Sequence, residues 1–218
     1  MPEKIFPPID MPGTIRGRLR SDIARELGIN CAAFATVGTH DTASAVAAIP
    51  GSGSFAFCSS GTWSVFGMEA EFPLLTDEVR DAGFSNEGNV QGGFCPLKNI
   101  MGLWLIQECR REWQAEGISL SWDEIVREAE AAEPFRSIID TDHASFFSGA
   151  RIRQKIRQFC AATNQPLPDT VGRFARCIYE SLALKYRYTL EKLSEIKGQS
   201  IDSLNIVGGG SRNRLLNQ

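Results

Sequence analysis

Ser203-Leu204-Asn205-Ile206-Val207-Gly208-Gly209-Gly210-Ser211-Arg212-Asn213 decides how this chain is read. Ser203 to Val207 is a short apolar strand, Gly208 to Gly210 a turn, and Ser211 opens a helix. Three successive glycines let backbone approach a ligand closely, at an entropic cost that a plain turn does not require. A tight strand-to-helix turn remains the simpler alternative. The run is not a Walker A loop, because no G-K-[ST] follows, and G-x-G-x-x-G is also absent.

Two earlier segments repeat the theme of small and polar residues at the end of an apolar run. Ser54 to Cys58 and Trp63 to Met68 read as β-strands around a tip of Ser59-Ser60-Gly61-Thr62. Such a tip is either an ordinary turn or a nest of amides and hydroxyls suited to phosphate oxygens. Phe34-Ala35-Thr36-Val37 reads as a buried strand ending at Gly38. A small-residue helix follows over Asp41 to Ile49, broken by Pro50-Gly51. Asp41 can cap that helix, or serve as a general base toward a substrate hydroxyl attacking phosphorus. The two roles are compatible. His40 reads alone as a structural histidine, but beside Asp41 a sugar contact is credible.

Between these segments lie mostly helices. Ser21 to Leu27 is a short one, capped by Ser21 or Asp22 and stopped by Gly28. Phe84 to Phe94 contains a further strand. Asn99 to Gln114 reads as the first long helix, with Asn99 as its N-cap and Gln107 two turns later on the same side. By itself that pair is a cap and a surface glutamine. Trp122 to Ala132 ends before Pro134, His143 to Gly149 is a loop, and Ile152 to Ala162 is amphipathic. Asn164 to Pro168 links it to the longest helical stretch, Asp169 to Lys197, closed by Gly198. The expected fold is α/β, with a sheet that mixes a hairpin with helix-linked strands.

Composition narrows the function. The net charge of -3 leaves no basic footprint for nucleic acid. No apolar run reaches the roughly 18–20 residues of a membrane span, and Met1 to Pro8 has no apolar core of a secretory signal. The six cysteines form no C-x-x-C pair. Cys31, Cys58, Cys95 and Cys109 read as buried thiols. Cys160 and Cys177 flank one loop and could meet, but a disulfide is the lesser reading in a chain expected to be cytoplasmic. With two histidines and no zinc-type spacing, no metal ligand is assigned.

Taken together, Gly38-Thr39-His40-Asp41-Thr42-Ala43-Ser44-Ala45-Val46, Ser59 to Ser64, Asn86-Glu87-Gly88, Leu97 to Trp104 and Val207 to Gln218 resemble the FGGY family of carbohydrate kinases along nearly the whole chain. The resemblance implies an actin-like, ribonuclease-H-like ATPase fold, of which residues 1–218 would be the second, C-terminal nucleotide-binding lobe. By the same resemblance Asp41 is the catalytic base, and His40, Thr42 and Asn99 contact the sugar. Thr62 lies at the ATP phosphates. Gln107, Gly209 and Asn213 line the nucleotide, and Gly208 and Gly210 shape the turn. The implied reaction uses ATP and magnesium to phosphorylate O1 of a ketose, with L-rhamnulose as the expected acceptor. Kinases for L-fuculose, L-ribulose, xylulose or glycerol are the alternatives, as is a non-catalytic nucleotide-binding module. Nothing in Met1 to Arg20 matches the Asp-x-Gly-x-[Ser/Thr] phosphate motif that opens family members, and the family continues past Gln218. The expectation is therefore a chain that lacks the first lobe, and with it part of the sugar pocket and of the magnesium environment. Half a cleft cannot position in-line attack, so little or no kinase activity is expected of it alone.

Overall fold

A computed structural model describes residues 3–5, 7–50 and 53–218. In chain order the elements are β1 (Ile15–Arg18), α1 (Ser21–Glu26), β2 (Ala33–Ala35), α2 (Asp41–Ala47), β3 (Phe55–Ser60), β4 (Trp63–Met68) and α3 (Asp77–Asp81). There follow β5 (Ser85–Gly88), β6 (Phe94–Met101), α4 (Trp104–Ala115), α5 (Trp122–Ala131), α6 (Ile152–Ala162), α7 (Val171–Lys197), β7 (Ser203–Val207) and α8 (Arg214–Asn217).

The main sheet has five strands in the order β5-β6-β4-β3-β7. The β3, β4, β6 and β5 neighbours run antiparallel, and β7 joins β3 in parallel after the long α7 crossover. A parallel neighbour requires such a crossover, because a short turn cannot return the chain to the same end of the sheet. One sheet face carries the larger core. Ala56, Cys58, Phe66 and Ile100 pack there with Ile106, Trp113, Ile178 and Leu182 of the helices. The other face is half covered: Val46 of α2 packs with Phe57, Cys95 and Leu97. The uncovered part of that second face becomes the floor of the cleft described below.

Local chemistry explains the element ends. Ser121 and Glu124 form a reciprocal capping box at the start of α5. Thr170 caps α7, and Gly198 ends it in the left-handed conformation, φ 68°. Among the described residues no helix is long and apolar enough to cross a membrane.

Four expectations are corrected here. Asn99 is not a helix cap: it lies inside β6, opposite Val65 of β4, and the helix begins at Trp104. The helical period read from Leu103 onward is real, but Phe94 to Met101 is claimed by strands on both sides. Neither Ser21 nor Asp22 caps α1; Arg20 is the N-cap residue, without a side-chain cap bond, and its guanidinium pairs with Asp22. The strand near Phe34 is exposed, since β2 pairs with β1 alone in a two-stranded sheet. Cys31 is likewise exposed, whereas the other five cysteines are buried and all six are free thiols. Of the expected Pro50-Gly51 break, Gly51 lies outside the described residues.

Candidate active-site cleft

Asp41 is the first residue of α2, directly after the His40 N-cap position. Its Oδ1 accepts from the Thr42 amide at 2.8 Å, which fixes one oxygen and leaves the exposed carboxylate facing outward. The turn before it is held by Ser44, whose hydroxyl donates to the Gly38 carbonyl at 2.7 Å. His40, Asp41 and Thr42 then line a pocket of about 530 Å³. Asn99 of β6 lines the same pocket, although it comes from a strand and not from the expected helix. All four residues expected on the sugar side are therefore brought together.

Five further residues line it, none assigned to it from sequence: Ser59, Gly61, Trp63, Val65 and Glu87. Trp63 and Val65 alternate with the buried Ser64 and Phe66, so period-two reading of β4 would have placed them on the cleft face. Glu87 stood in the Asn86-Glu87-Gly88 run but carried no role there. Its carboxylate lies 3.5 Å from Nδ1 of His40. Cys95, its strand partner, is a thiol that burial pushes up to about 11, with the Glu69 and Glu87 charges adding. Cys95 is thus a neutral core residue behind Glu87 and not a nucleophile.

The expected nucleotide residues sit at the adjoining end of the sheet. The Thr62 hydroxyl donates to Oε1 of Gln107 at 3.2 Å. The tip carbonyls of Gly61 and Thr62 accept from the amides of Leu103 (2.9 Å) and Trp104 (3.1 Å), so the tip satisfies the free amides that start α4. Parallel pairing of Ser59 with Val207 carries the three glycines alongside. A Cβ on Gly208 would sit 2.7 Å from the Ser60 carbonyl oxygen, and one on Gly210 would sit 2.0 Å from the Ser60 hydroxyl. A Cβ on Gly209 would meet nothing within 4 Å. Gly208 and Gly210 therefore serve backbone approach to β3, and Gly209 alone presents open space. Asn213 is committed to structure: its Oδ1 accepts from Leu216 at 3.1 Å and caps α8. Tyr186, also missed, reaches up from α7 and shares hydrogen bonds with Ser64 (2.5 Å) and Ser60 (3.3 Å) beneath the tip. Burial pushes its phenol well above the usual tyrosine range, so it stays neutral.

An antiparallel meander extended by one parallel strand, with helices packed behind it and a polar cleft at one end, defines an α/β domain of the actin-like, ribonuclease-H-like class. A xylulose kinase from Rhodospirillum rubrum superposes with TM-score 0.63, over 100% of this chain and 43% of that one, at 15% identity. The Plasmodium falciparum glycerol kinase with ADP gives 0.62, over 99% and 42%, at 14% identity. The model of the FGGY family of carbohydrate kinases, C-terminal domain, matches residues 56–218, and the chain belongs to that family. Among relatives, the rhamnulokinase of Bacteroides thetaiotaomicron is 43% identical over 99% of this chain and 44% of its own length. That of Enterococcus faecalis is 39% identical over the same shares. The chain thus spans less than half the length of the curated relatives it matches.

Proposed function

We propose that this chain is the C-terminal, nucleotide-side lobe of a kinase that transfers the ATP γ-phosphoryl group to O1 of L-rhamnulose. One observation carries the reading: His40, Asp41, Thr42 and Asn99 line one pocket that the Ser59–Gly61 tip also borders. The relatives' names supply the sugar. Asp41 takes the proton of the attacking hydroxyl. His40, Thr42 and Asn99 hold the other hydroxyls, and Thr62 with the Gly209 backbone receives the phosphates. The open position at Gly209 fits ATP, because a side chain there would occupy the approach. Among the described residues no three His, Cys, Asp or Glu side chains converge to hold a metal. Magnesium would accordingly arrive on the ATP phosphates, where it neutralises charge. A first lobe closes the cleft and completes the positioning. The free thiols suit a reducing compartment, and we place the kinase in the cytoplasm.

The test is ADP release with L-rhamnulose, L-fuculose, L-ribulose, xylulose and glycerol. It is run on the kinase of full family length that carries this sequence, with the present chain alongside. The expected result is preference for L-rhamnulose by the former and silence from the latter. Preference for another acceptor overturns the sugar. An ATP-binding protein of full length that turns over none of them overturns the kinase reading.

A further inference from the structure

Glu87 is the cleft carboxylate that the mechanism above leaves without a task. It lines the pocket of Asp41 and Asn99, and it faces Nδ1 of His40 at 3.5 Å. The strand around it is unusually well tied. Asn86 holds the backbone of Leu74 from both sides, its Oδ1 accepting from the Leu74 amide (2.9 Å) and its Nδ2 donating to the Leu74 carbonyl (2.8 Å). Asn89 accepts from the amides of Gln91 (3.0 Å) and Gly93 (2.7 Å), closing the turn into β6. Both asparagines of the Asn86-Glu87-Gly88-Asn89 run thus spend their side chains on the scaffold. The acidic residue between them is presented to the cleft, on a strand locked at each end.

We propose that Glu87 is a positioning residue for the acceptor side of the site. Its carboxylate accepts from Nδ1–H of His40, which selects the Nδ1–H tautomer and leaves Nε2 as an acceptor for a hydroxyl of the sugar. This rests on the reading that His40 contacts the sugar. An unassisted imidazole favours the other tautomer, in which Nε2 donates and the sugar hydroxyl has to accept instead. The separation of 3.5 Å is slightly longer than a formed hydrogen bond, and both side chains are partly exposed, so a small rotation closes it without substrate.

Two experiments test the proposal. With only two histidines in the chain, ¹⁵N spectra of the imidazoles assign directly once His40→Asn removes one set. At a pH where the ring is neutral, wild type should show mainly Nδ1–H at His40. Glu87→Gln, which keeps an acceptor oxygen, should preserve it, and Glu87→Ala should revert to Nε2–H. A His40 tautomer identical in wild type and Glu87→Ala overturns the proposal. In the kinase of full family length, Glu87→Ala should raise the sugar KM about tenfold. Its kcat and ATP KM should stay within about twofold, and Glu87→Gln should recover most of the loss. An active kinase whose sugar KM ignores Glu87→Ala also overturns it. Absence of turnover on every ketose overturns the kinase reading instead, and the tautomer result then decides the Glu87–His40 pairing by itself.

Discussion

Gly209 and Gly210 are adjacent, identical in chemistry, and expected to respond in opposite ways to one added methyl group. In Gly210→Ala the new Cβ falls 2.0 Å from the Ser60 hydroxyl oxygen and 2.7 Å from the Ser60 Cβ. Rotating the hydroxyl relieves only the first clash, because the Cβ does not move with it. Ser60 is fully buried in β3 and shares a hydrogen bond with Tyr186, so a shift propagates into the sheet. Overpacking of this kind costs about 1–3 kcal/mol, and a loosened hydrogen bond adds about 1 kcal/mol. The lower entropy of the unfolded alanine chain returns about 0.4–1 kcal/mol. The net is a loss of about 2 kcal/mol, or about 4–8 °C in Tm for a chain of this size.

Gly209→Ala meets no atom within 4 Å, and its backbone is outside the left-handed region. Its stability should equal wild type or exceed it by about 0.4–1 kcal/mol. If Gly209 borders the phosphates, its methyl group should weaken ATP binding about tenfold, since overpacking against a ligand costs about as much as in a core. Scanning calorimetry reads the first quantity and titration calorimetry with magnesium and ATP the second. A Gly210→Ala melting point within about 1 °C of wild type refutes the crowding argument. Unchanged ATP affinity in Gly209→Ala removes Gly209 from the nucleotide site.

Asp41→Asn should lower kcat of the kinase of full family length about 100- to 10,000-fold while ATP affinity stays within about twofold, as loss of a general base demands; near-normal kcat would remove Asp41 from that role. Asn99→Ala should raise the sugar KM about tenfold with ATP KM unchanged, the cost of one hydrogen bond to substrate, as steady-state kinetics would read. Tyr186→Phe leaves the buried Ser60 and Ser64 hydroxyls short of a partner and should cost about 1–3 kcal/mol in urea unfolding. Lys185 bonds Asp140 (2.9 Å) and Asp142 (2.8 Å). Burial raises the Asp140 carboxyl, but the Lys185 hydrogen bond and charge outweigh it and hold it below its ordinary value. Burial likewise lowers the Lys185 amine, and the two aspartates outweigh that to raise it. Stabilisation by the cluster should therefore fade as pH falls below the ordinary aspartate value, and fade again as pH rises above the ordinary lysine value. Lys185→Met should flatten both limbs of the stability–pH curve.

The legible parts of the fold are those where local pattern and tertiary demand agree. β4, β7 and α6 keep the bounds read from the sequence, because hairpin, strand-glycine and amphipathic signals are each self-contained. Asn99 fails for a non-local reason. Asparagine before an apolar run is a good cap, and only pairing with Val65 on β4 and the need to bridge β4 to β5 pull it into a strand. The error left the site intact, since strand and helix both deliver residue 99 to the cleft end of the sheet. β1 was illegible because Ile15–Arg18 has little apolar content and is held by β2 alone. Glu87 and Tyr186 were illegible as site residues because their meaning lies in partners, His40 and the serine pair, that are distant in the chain.

The small residues at the cleft also have a packing role. Ser60, Gly102, Gly208 and Gly210 are each closely approached by another part of the chain. A Cβ on Gly102 would lie 2.5 Å from the Ser64 hydroxyl and 2.7 Å from the Gly61 carbonyl oxygen, at the point where the tip hands over to α4. Ser60 receives Gly208 and Gly210 from above and Tyr186 from below. This mutual crowding fixes the tip as a rigid unit. A rigid tip is what lets Gly61 border the acceptor pocket while Thr62, one residue on, faces Gln107. On the proposed reading the acceptor and phosphate sides are set one residue apart on a single turn, so packing beneath the tip would control their relative placement. Preorganisation of that kind contributes to rate through geometry and not through contact. It follows that Tyr186→Phe, remote from both ligands, should disturb turnover more than it disturbs the binding of either one.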